Sequence, residues 1–220
     1  MKNRLVAFFM QNGLPIDNPS AGYKEEGFST QKVTLNNTIW DEEVNGGAIT
    51  YENTYNMYCN REPRFYVSVA FNNSYFPTEK RLFDFFNGAV DNTHTHDAPQ
   101  NGYLIRKRVS PKTNVKEKNY QYRPGIVYRL GEAYLNYAEA LNESDPDNPD
   151  ILTYLNLIRE RAGIPQYGNG QGMIPAPGTQ EEMRDIIRRE RRVELCCETE
   201  IRHNDIRRWM IGEQTLNTKF

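Results

Sequence analysis

The strongest constraint in the sequence is a pair of apolar stripes with helical spacing within residues 127–162. Each stripe steps by three or four residues, and a break rich in Asp and Pro separates the two. Asn148 can cap the second helix with Pro149 at its first position, and Gly163 followed by Pro165 is a typical helix stop. The pattern predicts an αα-hairpin of the tetratricopeptide kind. The stripes comprise Val127, Leu130, Tyr134, Ala138 and Leu141, then Ile151, Leu155, Ile158 and Ala162.

A further helix is predicted after a Gly- and Pro-rich linker at residues 167–178. Thr179 and Glu182 form a capping box, with Thr at the N-cap and Glu three residues later. Between Glu181 and Arg208, eight acidic residues accompany eight arginines, which predicts ion pairs on this part of the chain. The apolar stripe is interrupted only by two glutamates and consists of Met183, Ile187, Glu190, Glu194, Cys197 and Ile201.

The first 125 residues have a different pattern, since Asn, Gly and Pro recur every few residues and favour turns. Alternating side chains predict a strand over Arg64–Phe71, and a second short strand is predicted over Tyr103–Val109. The predicted fold class is mainly α, with tetratricopeptide-like helical hairpins and a loop-rich lobe carrying short β-strands. We expect the loop-rich, ligand-binding lobe at residues 1–125 and the helical hairpin scaffold at residues 126–220.

Composition narrows the class of function. The chain has 220 residues and a net charge of −2, which argues against a nucleic-acid binder with a broad basic surface. Its longest N-terminal apolar run, Leu5–Met10, is short for a signal-peptide core, so no export address is predicted within the chain. Aromatic residues make up 12% of the chain, including 14 Tyr, which is too many for a disordered protein.

Glu190 and Glu194 are open to two interpretations. They lie one helical turn apart, so they could form a carboxylate pair for acid–base chemistry. The many arginines nearby favour instead a buried ion-pair network that holds helices together.

Other chemical motifs are sparse. His94, His96 and Asp97 have a spacing seen among metal ligands, but no fourth ligand accompanies them, and a solvated polar loop is the default interpretation. No nucleotide-binding, zinc-protease or nucleophile-elbow motif occurs in the sequence. We therefore predict no catalytic residues, no metal and no cofactor.

Aromatic residues in the Asn-rich first half are the remaining signal. Rings stack on the apolar faces of sugars while amide, carboxylate and guanidinium groups bond the hydroxyls, which favours a glycan site. The alternative is that these rings simply pack the core of the lobe. The candidate ligand contacts are Trp40, Tyr51 and Tyr55, of which Trp40 beside three acidic residues is the best outward-facing one.

Four segments resemble the SusD/RagB family in the order that the family has them. Residues 129–140 resemble its R-x-x-E-x-Y-L-x-x-A-E-A helix, and residues 155–165 its L-N-x-I-R-x-R-A-G-x-P segment. Residues 190–209 resemble its E-R-R-x-E-L … D-L-x-R-W signature, and residues 60–66 its N-R-D-P-R-F-Y motif. Gly102 to Lys107 is also similar to the family's G-Y-x-x-x-K segment.

The resemblance implies a surface-exposed lipoprotein of the Gram-negative outer membrane that is not an enzyme. Such proteins bind glycans, or in some cases peptides, and cover a TonB-dependent transporter of the SusC type. The motif residues then belong to the scaffold, and ligand contacts come from variable loops. The scaffold network implied here comprises Glu190, Glu194, Arg159, Arg161, Asp205 and Arg208.

Two departures from the family pattern matter. The stretch Glu198–Arg202 lacks the glycine that the family usually has there and is one residue longer. Family members are also much longer than this chain, so we expect it to be a C-terminal fragment, a truncated gene product or a degenerate copy.

The predicted function is non-catalytic capture of an oligo- or polysaccharide for a SusC-like transporter. The alternative is a protein-interaction scaffold built on the helices, with no small-molecule ligand.

Overall fold

The structure, a computed structural model, describes residues 5, 7–34, 47–86, 88–92, 102–198 and 200–216. The chain divides into two compact units. The first unit comprises Met1–Ile126 with Ala162–Ile164, and the second comprises Val127–Arg161 with Pro165–Phe220. The protein is mostly helical with a few short strands, which confirms the predicted fold class.

The first unit is built from turns, short strands and one short helix. Among the described residues, the strands form three two-stranded antiparallel ladders, β1–β2, β3–β6 and β4–β5. The elements in chain order are β1 (Val33–Thr34), β2 (Ala48–Thr50), α1 (Pro63–Ser68), β3 (Val69–Phe71), β4 (Tyr75–Phe76), β5 (Arg81–Leu82) and β6 (Tyr103–Ile105). Two single-turn 3₁₀ helices, Pro19–Ala21 and Asn56–Tyr58, lie between them.

Aromatic rings form the core of this unit. Phe65 and Phe71 are fully buried, and the ring of Tyr58 stacks on that of Phe71 with 4.6 Å between centroids. Arg61 is buried beside them, and its guanidinium donates to the carbonyls of Leu5, Phe8 and Met57. These hydrogen bonds attach the N-terminal segment to the core, since backbone carbonyls accept from both terminal nitrogens of the buried guanidinium.

The predicted strand over Arg64–Phe71 is wrong in its first half, which is helix α1. Pro63 occupies the first turn, where its fixed φ and missing N–H are tolerated. Adjacent Phe65 and Tyr66 are both buried, whereas a strand would point them to opposite faces. The helical turn also brings the Tyr66 hydroxyl back to donate to the Tyr58 carbonyl at 2.9 Å. The second predicted strand is real but ends at Ile105.

The second unit contains the longer helices. These are α2 (Leu130–Ser144), α3 (Asp150–Ala162), α4 (Gln180–Glu194), α5 (Ile201–Arg208) and α6 (Gly212–Leu216). Helix α3 begins at Asp150, one residue later than predicted, and the Asn148 side chain accepts a hydrogen bond from the Asp150 N–H at 3.0 Å. The apolar core of this unit consists of Leu135, Ala138, Ile151, Leu155, Ile158, Tyr167, Met183, Ile187 and Leu195.

The buried face of α2 differs from the predicted stripe. Leu130 is 63% exposed and Val127 is 99% exposed, and Val127 precedes the helix. Ala138 is buried as predicted, and Tyr134 and Leu141 pack partly buried against the core. The other buried side chains are Leu135, Glu139 and Asn142, which the predicted stripe did not include. Two polar residues, Glu139 and Asn142, are therefore part of the face that packs inward. Their hydrogen-bond partners are Arg208 and Gln180, which belong to other helices.

The predicted stripe in α4 ends earlier than expected. Met183, Ile187, Glu190 and Glu194 are buried on one face, but the helix stops at Glu194. Cys197 lies in the following turn with a positive φ of 59°, and Ile201 starts the next helix.

Candidate functional site

A polar cleft with one exposed ring lies in the first unit. Its volume is about 490 Å³. The polar lining consists of Lys24, Ser29, Thr30, Gln31, Asn56 and Asn60, and the remaining lining residues are Met10, Gly22, Phe28, Val33 and Cys59. Amides and hydroxyls can both donate and accept hydrogen bonds, so the cleft suits a ligand that carries hydroxyl groups.

Two segments distant in sequence hold the cleft together. Phe28 forms an isolated antiparallel bridge with Tyr55, and the Ser29 N–H donates to the Thr54 carbonyl at 2.8 Å. The Asn56 N–H donates in turn to the Gly27 carbonyl at 2.9 Å. These backbone bonds fix the position of Phe28 without using its side chain.

Gly27 is required where these segments meet. Its φ is +87°, a region that residues with a Cβ rarely adopt. A Cβ at this position would also lie 3.0 Å from Asn56 Nδ2, whose amide donates to the Glu26 carbonyl. The glycine therefore permits the close approach that places Asn56 in the cleft.

A series of rings leads from the cleft to the core. Phe28 is 56% exposed, and its ring meets that of Tyr55 edge-on with 5.7 Å between centroids. Tyr55 in turn contacts Tyr58. Burial raises the pKa of Tyr58 to about 12, so its hydroxyl stays protonated at neutral pH. Phe28 is thus an exposed ring on a rigid aromatic support.

The lining of the cleft offers binding groups rather than an activated nucleophile. Burial raises the pKa of the Cys59 thiol, which keeps it protonated and weakly nucleophilic. In the described ranges no three His, Cys, Asp or Glu side chains form a group that could hold a metal ion.

Of the three predicted ligand contacts, the structure describes Tyr51 and Tyr55 but not Trp40. Trp40 lies outside the described residues, as do His94, His96 and Asp97. Tyr55 and Tyr51 are half-buried; Tyr55 supports Phe28, and the Lys32 ammonium lies 5.6 Å from the ring centre of Tyr51. Neither tyrosine lines the cleft.

Phe28 was missed by the sequence reasoning, although it lies between Gly27 and two hydroxyl residues. That local combination of a turn residue, a ring and hydroxyls was the available signal.

The six residues of the predicted scaffold network take part in ion pairs in the second unit. Arg159 and Glu190, both fully buried, are joined at 2.6 Å between Nη1 and Oε1. Glu194 pairs with Arg161 and with Arg129. The remaining pairs join Asp205 to Arg191, and Arg208 to both Asp205 and Glu139.

The Glu139 carboxylate accepts hydrogen bonds from two residues, Arg208 and Trp209. Burial by itself raises the pKa of a carboxyl, but hydrogen bonds from Arg208 and from the Trp209 indole outweigh it, and the pKa of Glu139 is lowered. The Glu139 carboxylate therefore remains charged and joins α2 to the end of α5.

A second cavity of about 420 Å³ lies among these pairs. Its charged lining residues are Glu132, Glu139, Glu143, Asp205, Arg191 and Arg208. A ligand would have to compete with ion pairs that already join these residues. We therefore place the candidate binding site in the cleft beside Phe28.

Helix length bears on membrane association. Within the described part of the chain, none of the helices is both long and apolar enough to cross a bilayer.

Comparisons with known proteins identify relatives along the whole chain. The SusD-like protein P2 of Formosa agariphila is 35% identical over 101 residues, which cover 46% of this chain and 19% of that protein. A solved SusD-like protein of Bacteroides fragilis, BF3747, is 27% identical with a TM-score of 0.65 and covers 97% of this chain. A SusD-like carbohydrate binding protein of the same species, BF0978, also covers 97% of it at 22% identity and a TM-score of 0.63, which shows the fold alone.

This chain spans only about a third of its solved relatives, 36% of each of these two. The sequence model of the SusD family matches residues 2–220. The chain therefore belongs to the SusD family.

Proposed function

We propose that the protein binds glycans without catalysis, through the cleft beside Phe28. The observation that carries the proposal is the exposed Phe28 ring in a cleft lined by amide and hydroxyl groups. A sugar ring presents C–H groups to an aromatic face and hydroxyls to its rim, so this combination matches both halves of its surface. The solved protein BF0978 of B. fragilis, which has the same fold, is described as carbohydrate binding, and this supports the choice of ligand class.

The local chemistry supports binding over catalysis. The cleft thiol has a raised pKa, and Glu190 and Glu194 are each engaged by arginines in the second unit. In both cases a guanidinium N–H donates to the Oε1 atom of the carboxylate, which is the arrangement of a structural ion pair.

A glycan array probed with the purified chain tests the ligand class. We expect binding to at least one oligo- or polysaccharide, and calorimetry on that glycan should give a saturable heat. The absence of binding to every glycan on a broad array would contradict the proposal.

We further propose that the protein acts at the surface of the outer membrane and passes its ligand to a TonB-dependent transporter of the SusC type. Membership of the SusD family supports this role. Affinity purification of the tagged protein from its native cells should recover such a transporter, and protease treatment of intact cells should digest the protein. Recovery without the transporter, or protection from protease, would count against this role.

A further inference from the structure

The cleft beside Phe28 has a charge of one sign. Among the described residues that line it, Lys24 is the only charged one, and none is an Asp or a Glu. The other polar lining groups are the uncharged side chains of Ser29, Thr30, Gln31, Asn56 and Asn60. A ligand in the cleft therefore meets one positive charge among neutral hydrogen-bonding groups.

The backbone on either side of Lys24 is anchored to the core of the first unit. Before it, the ring of Tyr23 lies 5.5 Å from the guanidinium of Arg61, which is buried. After it, the Gly27 carbonyl accepts a hydrogen bond from the Asn56 N–H at 2.9 Å. The residues that flank Lys24 are thus fixed by contacts with distant parts of the unit, and they hold Lys24 at the cleft.

The Lys24 ammonium is available to a ligand. Its side chain is exposed, and no carboxylate pairs with it among the described residues. Glu25 and Glu26 follow it in the sequence, but neither lines the cleft. An ammonium can only donate hydrogen bonds, and it bonds ionised oxygens more strongly than neutral ones. The best partner for this group is therefore an anionic oxygen on the ligand.

Phe28 and Lys24 can contact the same ligand. Both line a single cleft of about 490 Å³, which is within the range of ~300–1,000 Å³ typical of sites for small ligands. An aromatic ring suits the C–H face of a sugar, amides and hydroxyls suit its hydroxyl groups, and an ammonium suits a carboxylate or a sulfate. These three kinds of group together match a sugar unit that carries an acidic substituent.

We propose that Lys24 makes the cleft selective for glycans with acidic sugar units, which carry a carboxylate or a sulfate. The inference rests on the proposed function, since it takes the cleft as the glycan site and adds the charge of the ligand. A neutral glycan would offer the ammonium only hydroxyl oxygens, whereas an acidic one offers an ionised acceptor. Salt screens exposed charges beyond ~8–10 Å, so the selection acts on the sugar in the cleft and its neighbours rather than on the whole polymer.

The test compares each glycan with and without its charge. Oligogalacturonides carry carboxylates, and their methyl esters have the same backbone without the charge. Carrageenan oligosaccharides before and after desulfation form the corresponding pair for sulfate. Calorimetric titration of the whole chain, at low and at high salt, measures the ratio of affinities for the acidic and the neutral form in each pair.

Two variants separate the cleft charge from the charge of the whole chain. Lys24→Gln removes the positive charge and keeps a side chain of similar length that can form hydrogen bonds. Lys80→Asn is the matched control, since Lys80 is exposed in the same unit and does not line the cleft. Lys80 has a positive φ of 53°, which Asn tolerates. Circular dichroism should show that both variants are folded.

We expect the acidic form to bind more tightly than the neutral form in at least one pair, and the pair that shows this preference distinguishes carboxylate from sulfate. The preference should weaken at high salt. Lys24→Gln should reduce it by about fivefold, the upper end of what one exposed ion pair contributes. Lys80→Asn should keep the preference of the parent.

Three outcomes would overturn the inference. Neither acidic form could bind more tightly than its neutral partner, Lys24→Gln could keep the preference of the parent, or Lys80→Asn could lose as much of it as Lys24→Gln does. If a neutral glycan nevertheless binds and Phe28→Ala weakens that binding, only this inference fails. If no glycan of either charge binds, the proposed function fails with it.

Discussion

Each of the two units contains a buried arginine whose guanidinium is bonded to other parts of the same unit. Arg61 is 1% exposed and bonds three backbone carbonyls, while Arg159 is fully buried and faces Glu190. The Arg159 guanidinium also donates to the Pro165 carbonyl and lies 4.2 Å from the ring centre of Tyr167. Because each cation has protein partners in place of water, removal of one partner is more harmful than replacement of the whole pair.

Arg159→Met should lower the free energy of unfolding by ~3–5 kcal/mol, because the buried Glu190 carboxylate loses the guanidinium that it pairs with. Arg159→Met/Glu190→Leu should recover most of that loss, since both members of the buried ion pair are replaced by apolar side chains. Chemical denaturation followed by circular dichroism measures both. Equal stability of the single variant and the parent would contradict the assignment of this pair as scaffold.

Asp91 provides a pH-dependent contact in the first unit. The Arg81 guanidinium donates two hydrogen bonds of 2.7 Å to its carboxylate and lowers the pKa of Asp91 below the ordinary value of 3.8. In the unfolded chain Asp91 takes up its proton at a higher pH than in the folded one. The stabilisation is therefore complete above 3.8 and is lost as the pH falls through the lower, folded pKa.

Asp91→Asn should abolish the contribution of this carboxylate to the pH dependence of folding stability. The melting temperatures of the parent and the variant should differ at neutral pH and converge as the pH falls below the ordinary pKa of Asp91. Thermal melts over a series of acidic buffers provide the measurement. A difference that stays constant across the series would show that the carboxylate is not linked to folding.

At the scale of the element, the ends of the helices follow local sequence. Helix α4 begins after Thr179, whose hydroxyl accepts from the Glu182 N–H at 3.2 Å. The Glu182 carboxylate accepts a hydrogen bond from the Gly178 N–H, whereas a standard capping box would have it accept from the Thr179 N–H. The capping box predicted from the sequence is thus present with one bond displaced by a residue.

Thr179→Ala should destabilise the second unit by ~1 kcal/mol through loss of this cap. Thr153→Ala is the matched control, because Thr153 is exposed inside α3 and Ala is the better helix former there. Urea denaturation of both variants distinguishes the two effects. A loss of stability in Thr153→Ala as large as that in Thr179→Ala would argue against a capping role.

The buried faces of the helices were less predictable than their ends. Of the predicted stripe, Leu130 is exposed and Tyr134 and Leu141 pack against the core only partly buried, whereas Glu139 and Asn142 are buried. Glu139 accepts hydrogen bonds from the Arg208 guanidinium. The Asn142 side-chain amide donates to the Gln180 backbone carbonyl, and the Gln180 side-chain amide donates to the Asn142 backbone carbonyl. Periodicity cannot reveal partners that lie 38 or more residues away in the chain.

The candidate site was predictable only in part for the same reason. Tyr55 was selected as an aromatic residue in a polar region, and it does lie beside the exposed ring. The local sequence around Phe28 offered a signal for a ring beside a turn, but the position of that ring depends on backbone hydrogen bonds between residues 27–29 and 54–56, which are distant in sequence.

At the scale of the whole molecule, the second unit exposes apolar side chains where α2 begins. Val127 is 99% exposed, Leu130 is 63% exposed and Tyr128 is 57% exposed. Exposed apolar groups that lie close together favour association. This feature would serve the alternative function, a protein-interaction scaffold, as well as self-association.

We expect the chain to self-associate reversibly, and Val127→Ser/Leu130→Gln to weaken that association without loss of stability. Sedimentation velocity over a range of concentrations measures it. A parent chain that stays monomeric at every concentration would contradict this expectation.

The central claim is that Phe28 is the aromatic contact of a glycan site, and calorimetric titration tests it most directly. Phe28→Ala should lower affinity for the captured glycan by about tenfold or more. The estimate takes the ~1–3 kcal/mol that stacking of a nucleic-acid base on one aromatic side chain contributes as a guide to stacking of a sugar ring. Phe86→Ala is the control, since Phe86 is 63% exposed in the same unit but does not line the cleft. Retention of full affinity by Phe28→Ala, or an equal loss in Phe86→Ala, would contradict the account.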